Sequence, residues 1–108
     1  MTTTTVATSG RKTKAEKAYA GTVARAGAIK ALADPARLEI VAMLRNGPAE
    51  SVQEIQAGLS QGLTQPTVSH HLRVLMVAGI IERSKRGSFA AYGLAPARLN
   101  EIATWIKG

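Results

Sequence analysis

Five polar side chains between positions 65 and 73 have the types and spacing to read nucleic acid: Gln65, Thr67, Ser69, His70 and Arg73. A glutamine amide can bond an adenine edge in bidentate fashion, and a guanidinium can do the same to guanine. The hydroxyls of Thr67 and Ser69 can reach either a base or a phosphate. Helical spacing gathers Gln65, Ser69, His70 and Arg73 on one side, with Val77 at its end, while Val68, Leu72, Leu75 and Met76 form an apolar stripe on the other. Thr64 stands where an N-cap belongs, and Pro66 falls in the first turn, where its missing N–H costs nothing. A helix over 65–78 is therefore expected to bury one face in a core and offer the other to a major groove.

The flanking segments must position that helix. Ser51-Val-Gln-Glu54 has the form of a capping box and opens a short helix to Leu59, with Val52, Ile55 and Leu59 as its apolar side. A link containing Gly62 joins it to the 65–78 segment, which gives a helix-turn-helix. After Gly79, the stretches 80–85 and 89–94 read as two strands around the tip Lys85-Arg86-Gly87-Ser88. Arg83, Lys85 and Arg86 make this hairpin basic, suited to phosphate or minor-groove contact. Upstream, residues 15–33 read as a helix with Tyr19, Val23, Ala26, Ile29 and Leu32 along one side. Asp34-Pro35 caps another that runs to about Asn46, with Leu38, Val41 and Leu44 inward. Pro96 starts the last, carrying Leu99, Ile102, Ala103 and Ile106. The fold class expected is mainly α with a small β-hairpin: a winged helix-turn-helix of about five helices and a two-stranded wing.

The chain has 108 residues, enough for one domain, and a formal net charge of +7 with a pI near 10.4. A polyanionic partner suits that balance. Residues 1–30 carry six basic and one acidic side chain, residues 65–88 carry four and one, and the segment between them is net acidic. Residues 1–14 are Thr-rich and then basic, and are expected to be a disordered tail, either plainly solvated or an arm that adds phosphate contacts. Residues 15–108 then form the DNA-binding and dimerisation domain. With no cysteine, disulfide and thiolate chemistry are excluded. No signal peptide or membrane span is legible, so a cytoplasmic location is expected. No nucleophile context, phosphate loop or carboxylate pair suggests an enzyme. A lone Trp on a terminal helix belongs more naturally at an interface, so Trp105 is assigned to a dimer contact.

Three blocks carry a family resemblance: Ala31-Leu-Ala-Asp-Pro-Ala-Arg-Leu-Glu-Ile40, Gln65-Pro-Thr-Val-Ser-His-His-Leu-Arg-Val-Leu75 and Ala78-Gly-Ile-Ile81. In order and spacing they resemble the ArsR/SmtB family over about residues 26–106. The link 60–64 is about two residues longer than that family usually has, which bears on the crossing angle of the two helices. The resemblance implies a small, homodimeric, winged-helix bacterial transcription regulator. It also implies that the first and last helices pack across the dimer, which adds Tyr19, Val23, Leu99, Ile102 and Ile106 to Trp105 at the interface. A dimer would place helix 65–78 of each protomer in the major groove of an inverted-repeat operator, with the wing 83–88 on the backbone or in the minor groove.

The family's usual metal sites do not transfer. Ser51 and Gln53 fall where metal-sensing members carry thiolates, and neither replaces one for a soft metal. Pro96 and Arg98 fall where the first Asp and His of the other site would be, and its second pair would lie beyond Gly108. His70 and His71 are adjacent and diverge by about 100° on a helix, so they cannot chelate one ion together. His70 is expected on the DNA side and His71 on the flank of the core. No metal and no cofactor is expected. A small molecule, a partner protein that supplies the metal or ligand response, or no effector at all remain open. A winged-helix module that binds protein rather than DNA is the alternative reading.

Overall fold

The caps set the element boundaries. In the computed structural model, which describes residues 11–108, α1 (Lys14–Leu32) begins with a capping box: the Glu16 amide donates to Thr13 Oγ1 at 3.0 Å, and the Thr13 amide donates to Glu16 Oε1 at 2.8 Å. The helix thus starts one residue before the expected Ala15, inside what reads as tail. The tail's first ten residues lie outside the described residues. Asp34 caps α2 (Pro35–Leu44), its carboxylate accepting from the Arg37 amide at 3.1 Å, with Pro35 in the first turn. This helix stops at Leu44, two residues short of Asn46, and a turn follows.

Ser51 and Glu54 cap α3 (Val52–Gly58) reciprocally, as their spacing predicts. Thr64 does sit at the N-cap of α4 (Gln65–Val77), but its side chain caps nothing; its hydroxyl pairs with that of Thr67 at 3.0 Å. The C-terminus of α4 is better specified than the sequence suggests. Gly79, at φ +77°, donates to the Met76 carbonyl and Ile80 donates to the Leu75 carbonyl, both at 3.0 Å. That is the Schellman arrangement, and its accompanying apolar contact falls to Leu75 and Ile80, both fully buried.

The wing is an antiparallel pair, β1 (Ile81–Arg86) and β2 (Phe89–Leu94), closed by Gly87-Ser88, with Gly87 at φ +65°. The second edge of β2 is also used. Glu50 and Tyr92 exchange backbone hydrogen bonds of 2.9 and 2.7 Å, which ties the chain just before α3 to the wing. The last helix, α5 (Pro96–Lys107), completes five helices and a two-stranded hairpin among the described residues, the winged helix-turn-helix that the patterning predicts. No helix among the described residues is long and apolar enough to cross a membrane.

Ile40, Ile55, Val68, Leu72, Leu75 and Ile80 are fully buried and come from every layer of the helix-turn-helix and the start of the wing. Around them the phase of α2 differs from expectation, and α1 and α5 divide their apolar residues between core and surface. In α2 the inward residues are Ala36, Ile40 and Leu44, four apart, which leaves Leu38 about half a turn away and 53% exposed. In α1 only Ala28 and Ala31 are buried, while Tyr19 and Val23 stand in solvent. In α5, Ile102 is buried in the protomer's own core. We expect Ile40→Ala to cost about 2–5 kcal/mol and Leu38→Ala less than about 0.5 kcal/mol, read from urea midpoints. Equal losses would mean that α2 is rotated from the position described.

Candidate nucleic-acid interface

Packing decides which way α4 faces. Val68, Leu72 and Leu75 are buried, so Gln65, His70 and Arg73 project outward and are exposed, with Ser69 half-buried beside them. Among the described residues, the side chains of Gln65, Ser69 and Arg73 take no hydrogen bond or ion pair, which leaves their donors and acceptors for a ligand. Thr67 differs: it is half-buried and its hydroxyl is engaged with Thr64, so it locks the start of the helix.

The two histidines separate as their positions require. His70 is exposed, and its ring lies 5.7 Å from that of His71 with the planes tilted by 52°. His71 turns inward to α2, where Arg37 Nη1 donates to His71 Nδ1 at 3.1 Å and Arg37 Nε donates to the Ala31 carbonyl at 2.6 Å. Because a guanidinium only donates, Nδ1 must be the bare nitrogen, so the ring is neutral with its proton on Nε2. Burial lowers the His71 pKa, Asp34 at 4.0 Å opposes this, and Arg37 reinforces it. Arg37 thus ties the end of α1, the cap of α2 and the middle of α4 together.

The wing's three basic residues have two roles. Arg83 and Lys85 share one face of β1 with Ile81 and are exposed. Arg86, expected to touch DNA, points back instead: Nη1 donates to the Ala49 carbonyl at 2.9 Å and Nη2 to Glu54 Oε1 at 2.8 Å. Glu54 is the capping-box carboxylate of α3, and its pKa is lowered by the Ser51 amide first and by Arg86 next. Arg86 therefore docks the wing tip on the helix-turn-helix. Sequence gives no sign of this contact, which spans 32 positions.

The link before α4 is also held. The Ser60 amide and hydroxyl donate to the Glu39 carboxylate at 3.0 and 3.1 Å, and Gln56 Nε2 donates to the Leu63 carbonyl at 3.0 Å. These anchors, which sequence reasoning missed, fix a connection that spans residues 59–64.

Of the residues expected at a dimer contact, Tyr19, Val23, Trp105 and Ile106 are all more than half exposed, and the Arg25 guanidinium lies 4.8 Å from the Trp105 ring centre. Leu99 is partly buried against the core, and Ile102 is inside it. Ile102 is therefore a core residue that holds α5 in place, not a free contact. Ser51 is buried with its hydroxyl accepting from the Glu54 amide, and Gln53 is exposed on α3. Among the described residues no group of three His, Cys, Asp or Glu could hold a metal ion.

The profile of the ArsR family of bacterial regulatory proteins matches residues 34–83, from the cap of α2 into the wing. An HTH-type transcriptional regulator of Methanocaldococcus jannaschii is 38% identical over 73 residues, which span 68% of this chain and 80% of that protein. The chain belongs to the ArsR family. Among solved structures, an ArsR-like transcriptional regulator from Rhodococcus sp. RHA1 superposes with a TM-score of 0.72 at 26% identity, over 82% of this chain and 80% of that one. The homodimeric winged helix-turn-helix DNA-binding domain of Mb0332 from Mycobacterium bovis does so with a TM-score of 0.65 at 26% identity, over 91% and 86%.

The neutral His71 of this ArsR-family chain has a consequence for stability. Its ordinary pKa is near 6.5, and the folded state depresses it, so unfolding takes up a proton below about pH 6.5. The stabilisation is present in full above that pH and declines as the pH falls through the window beneath it. We expect the unfolding free energy to drop between pH 7 and 5, and His71→Gln to flatten that segment. An unchanged slope in the variant would show that His71 is not the titrating group.

Proposed function

We propose that this protein is a sequence-specific transcription regulator that binds duplex DNA as a homodimer in the cytoplasm, with α4 of each protomer in the major groove of one half of an inverted repeat. One observation carries the reading. The core fixes α4 so that Gln65, Ser69, His70 and Arg73 face outward, and the free wing cations Arg83 and Lys85 stand on the element that follows. Membership of a family of regulators supports it, as does the homodimeric form of the Mycobacterium bovis relative.

Roles divide by chemistry. Arg73 and Gln65 supply the bidentate groups for guanine and adenine, while Ser69 and His70 add single hydrogen bonds to bases or phosphates. Arg83 and Lys85 bind phosphate and set the salt dependence. Arg86 orients the wing through Glu54, and Thr67 orients the helix start. Tyr19, Val23, Trp105 and Ile106 would meet their counterparts across the dimer, with Leu99 at the margin, and would hold the two recognition helices about 34 Å apart.

Fluorescence anisotropy on DNA from the protein's own upstream region, against a scrambled duplex and over stepped salt, tests this. The native duplex should be preferred at physiological salt. Arg73→Ala should cost about 1–3 kcal/mol on the native duplex and much less on the scrambled one. Lys85→Ala should weaken both equally and lower the salt slope by about 1, whereas Arg86→Ala should weaken binding with the slope unchanged. Equal binding to both duplexes that vanishes with salt would sink the proposal.

A further inference from the structure

A groove of about 750 Å³ runs between α1 and α4. Its volume lies in the range of about 300–1,000 Å³ typical of small-molecule sites. The α1 wall is Ala24, Gly27, Ala28 and Ala31, spaced i, i+3, i+4 and i+7, and the α4 wall includes Val74 and Val77. These residues are small on one side and aliphatic on the other, so the floor is apolar and wide. A Cβ built on Gly27 would meet nothing within 4 Å, so the space continues over that residue.

The rim has the opposite character. Lys30, Arg37, Arg73 and Arg98 line it together with His70, and no lining residue is acidic. Arg37 is partly committed to the Ala31 carbonyl and His71, and Arg98 is paired with Glu101 at 2.7 Å. Lys30 and Arg73 have no acceptor among the described residues. Free cations over an apolar floor define a ligand with two parts. A phosphate backbone would use the cations but leave the apolar floor empty. A purely apolar ligand would leave the cations without counter-charge.

We propose that this groove binds a small amphipathic organic anion, with an aromatic or aliphatic body on the Ala and Val walls and a carboxylate or sulfonate between Lys30 and Arg73. His70 and Arg73 belong both to the groove and to the outer face of α4, so the anion and DNA compete for them. This second step rests on the DNA-reading role proposed above.

The test uses the full chain without DNA and 8-anilino-1-naphthalenesulfonate as the fluorescent probe. One saturable site per chain is expected. Gly27→Phe fills the groove and replaces a helical glycine, so it should keep the fold by circular dichroism and lose probe binding at least about tenfold. Lys30→Glu should weaken the sulfonate about tenfold while leaving the uncharged N-phenyl-1-naphthylamine unaffected. Binding that survives Gly27→Phe, or equal binding of the charged and uncharged probes, would overturn the site. So would a dimer-to-monomer change in sedimentation with Gly27→Phe when the wild-type chain shows no saturable probe binding, because a second copy would then fill the groove. In the DNA arm, saturating probe should lower affinity for the upstream duplex at least about tenfold for the wild type and not for Gly27→Phe. A groove that binds the probe while DNA affinity stays constant would refute the competition. Failure to prefer the native duplex at all would refute the DNA reading and leave the groove standing.

Discussion

Everything at the reading face depends on how the apolar stripe of α4 is seated. Val68, Leu72 and Leu75 are each at most 1% exposed, and burying side chains of this size is worth about 1.5–3 kcal/mol apiece. A helix has one rotational degree of freedom about its axis. Once these three residues are inside, Gln65, His70 and Arg73 have nowhere to go but out. The Schellman stop at Gly79 fixes the other end, because Leu75 both fills the core and accepts the hydrogen bond that turns the chain into the wing. Recognition geometry is thus a consequence of hydrophobic packing, and the polar residues that would use it contribute little to holding it.

The positive charge is divided between structure and surface in a way that the net value conceals. Arg37 joins α1, α2 and α4. Arg86 joins the wing tip to α3, and Arg98 pairs within α5. Lys30, Arg73, Arg83 and Lys85 take no such part among the described residues. An exposed ion pair such as Arg86–Glu54 adds little stability, so its use is positional. With the Glu50–Tyr92 bridge it holds the hairpin from two sides, and Arg83 and Lys85 then project from a fixed platform.

Which parts of this were legible in the sequence follows from the range of the interactions. Asp34 with Pro35, and Ser51 with Glu54, announce helix starts because a cap is complete within four residues. The capping box of Thr13 and Glu16 was as local but lay within a basic, Thr-rich stretch whose composition pointed to a tail. The stripe of α4 was legible because its four apolar positions admit a single phase. In α2 the residues Leu38, Ile40, Val41 and Leu44 allow two phases, and only the neighbours' shapes select the one with Ile40 inside. Arg86 and Arg37 find partners 32 and 34 positions away, so no local pattern could reveal them. The same is true of Ile102, whose burial depends on where α5 returns to the body of the domain.

The pair His70–His71 shows how closely inside and outside are coupled on α4. One ring is held neutral against Arg37, and the next, about 100° around the helix, faces solvent above the α1 groove. The helix packs against α1, α2, α3 and β1. Regulation through a distant site would need a second arrangement of that packing, with two states and a ligand that prefers one of them. A ligand between α1 and α4 needs no such relay. It would lie against the side chains proposed to read DNA, and occlusion would follow from shared residues alone. For a chain of 108 residues with a thin core, that is the more economical design, since the packing that fixes the recognition helix need not also be able to release it.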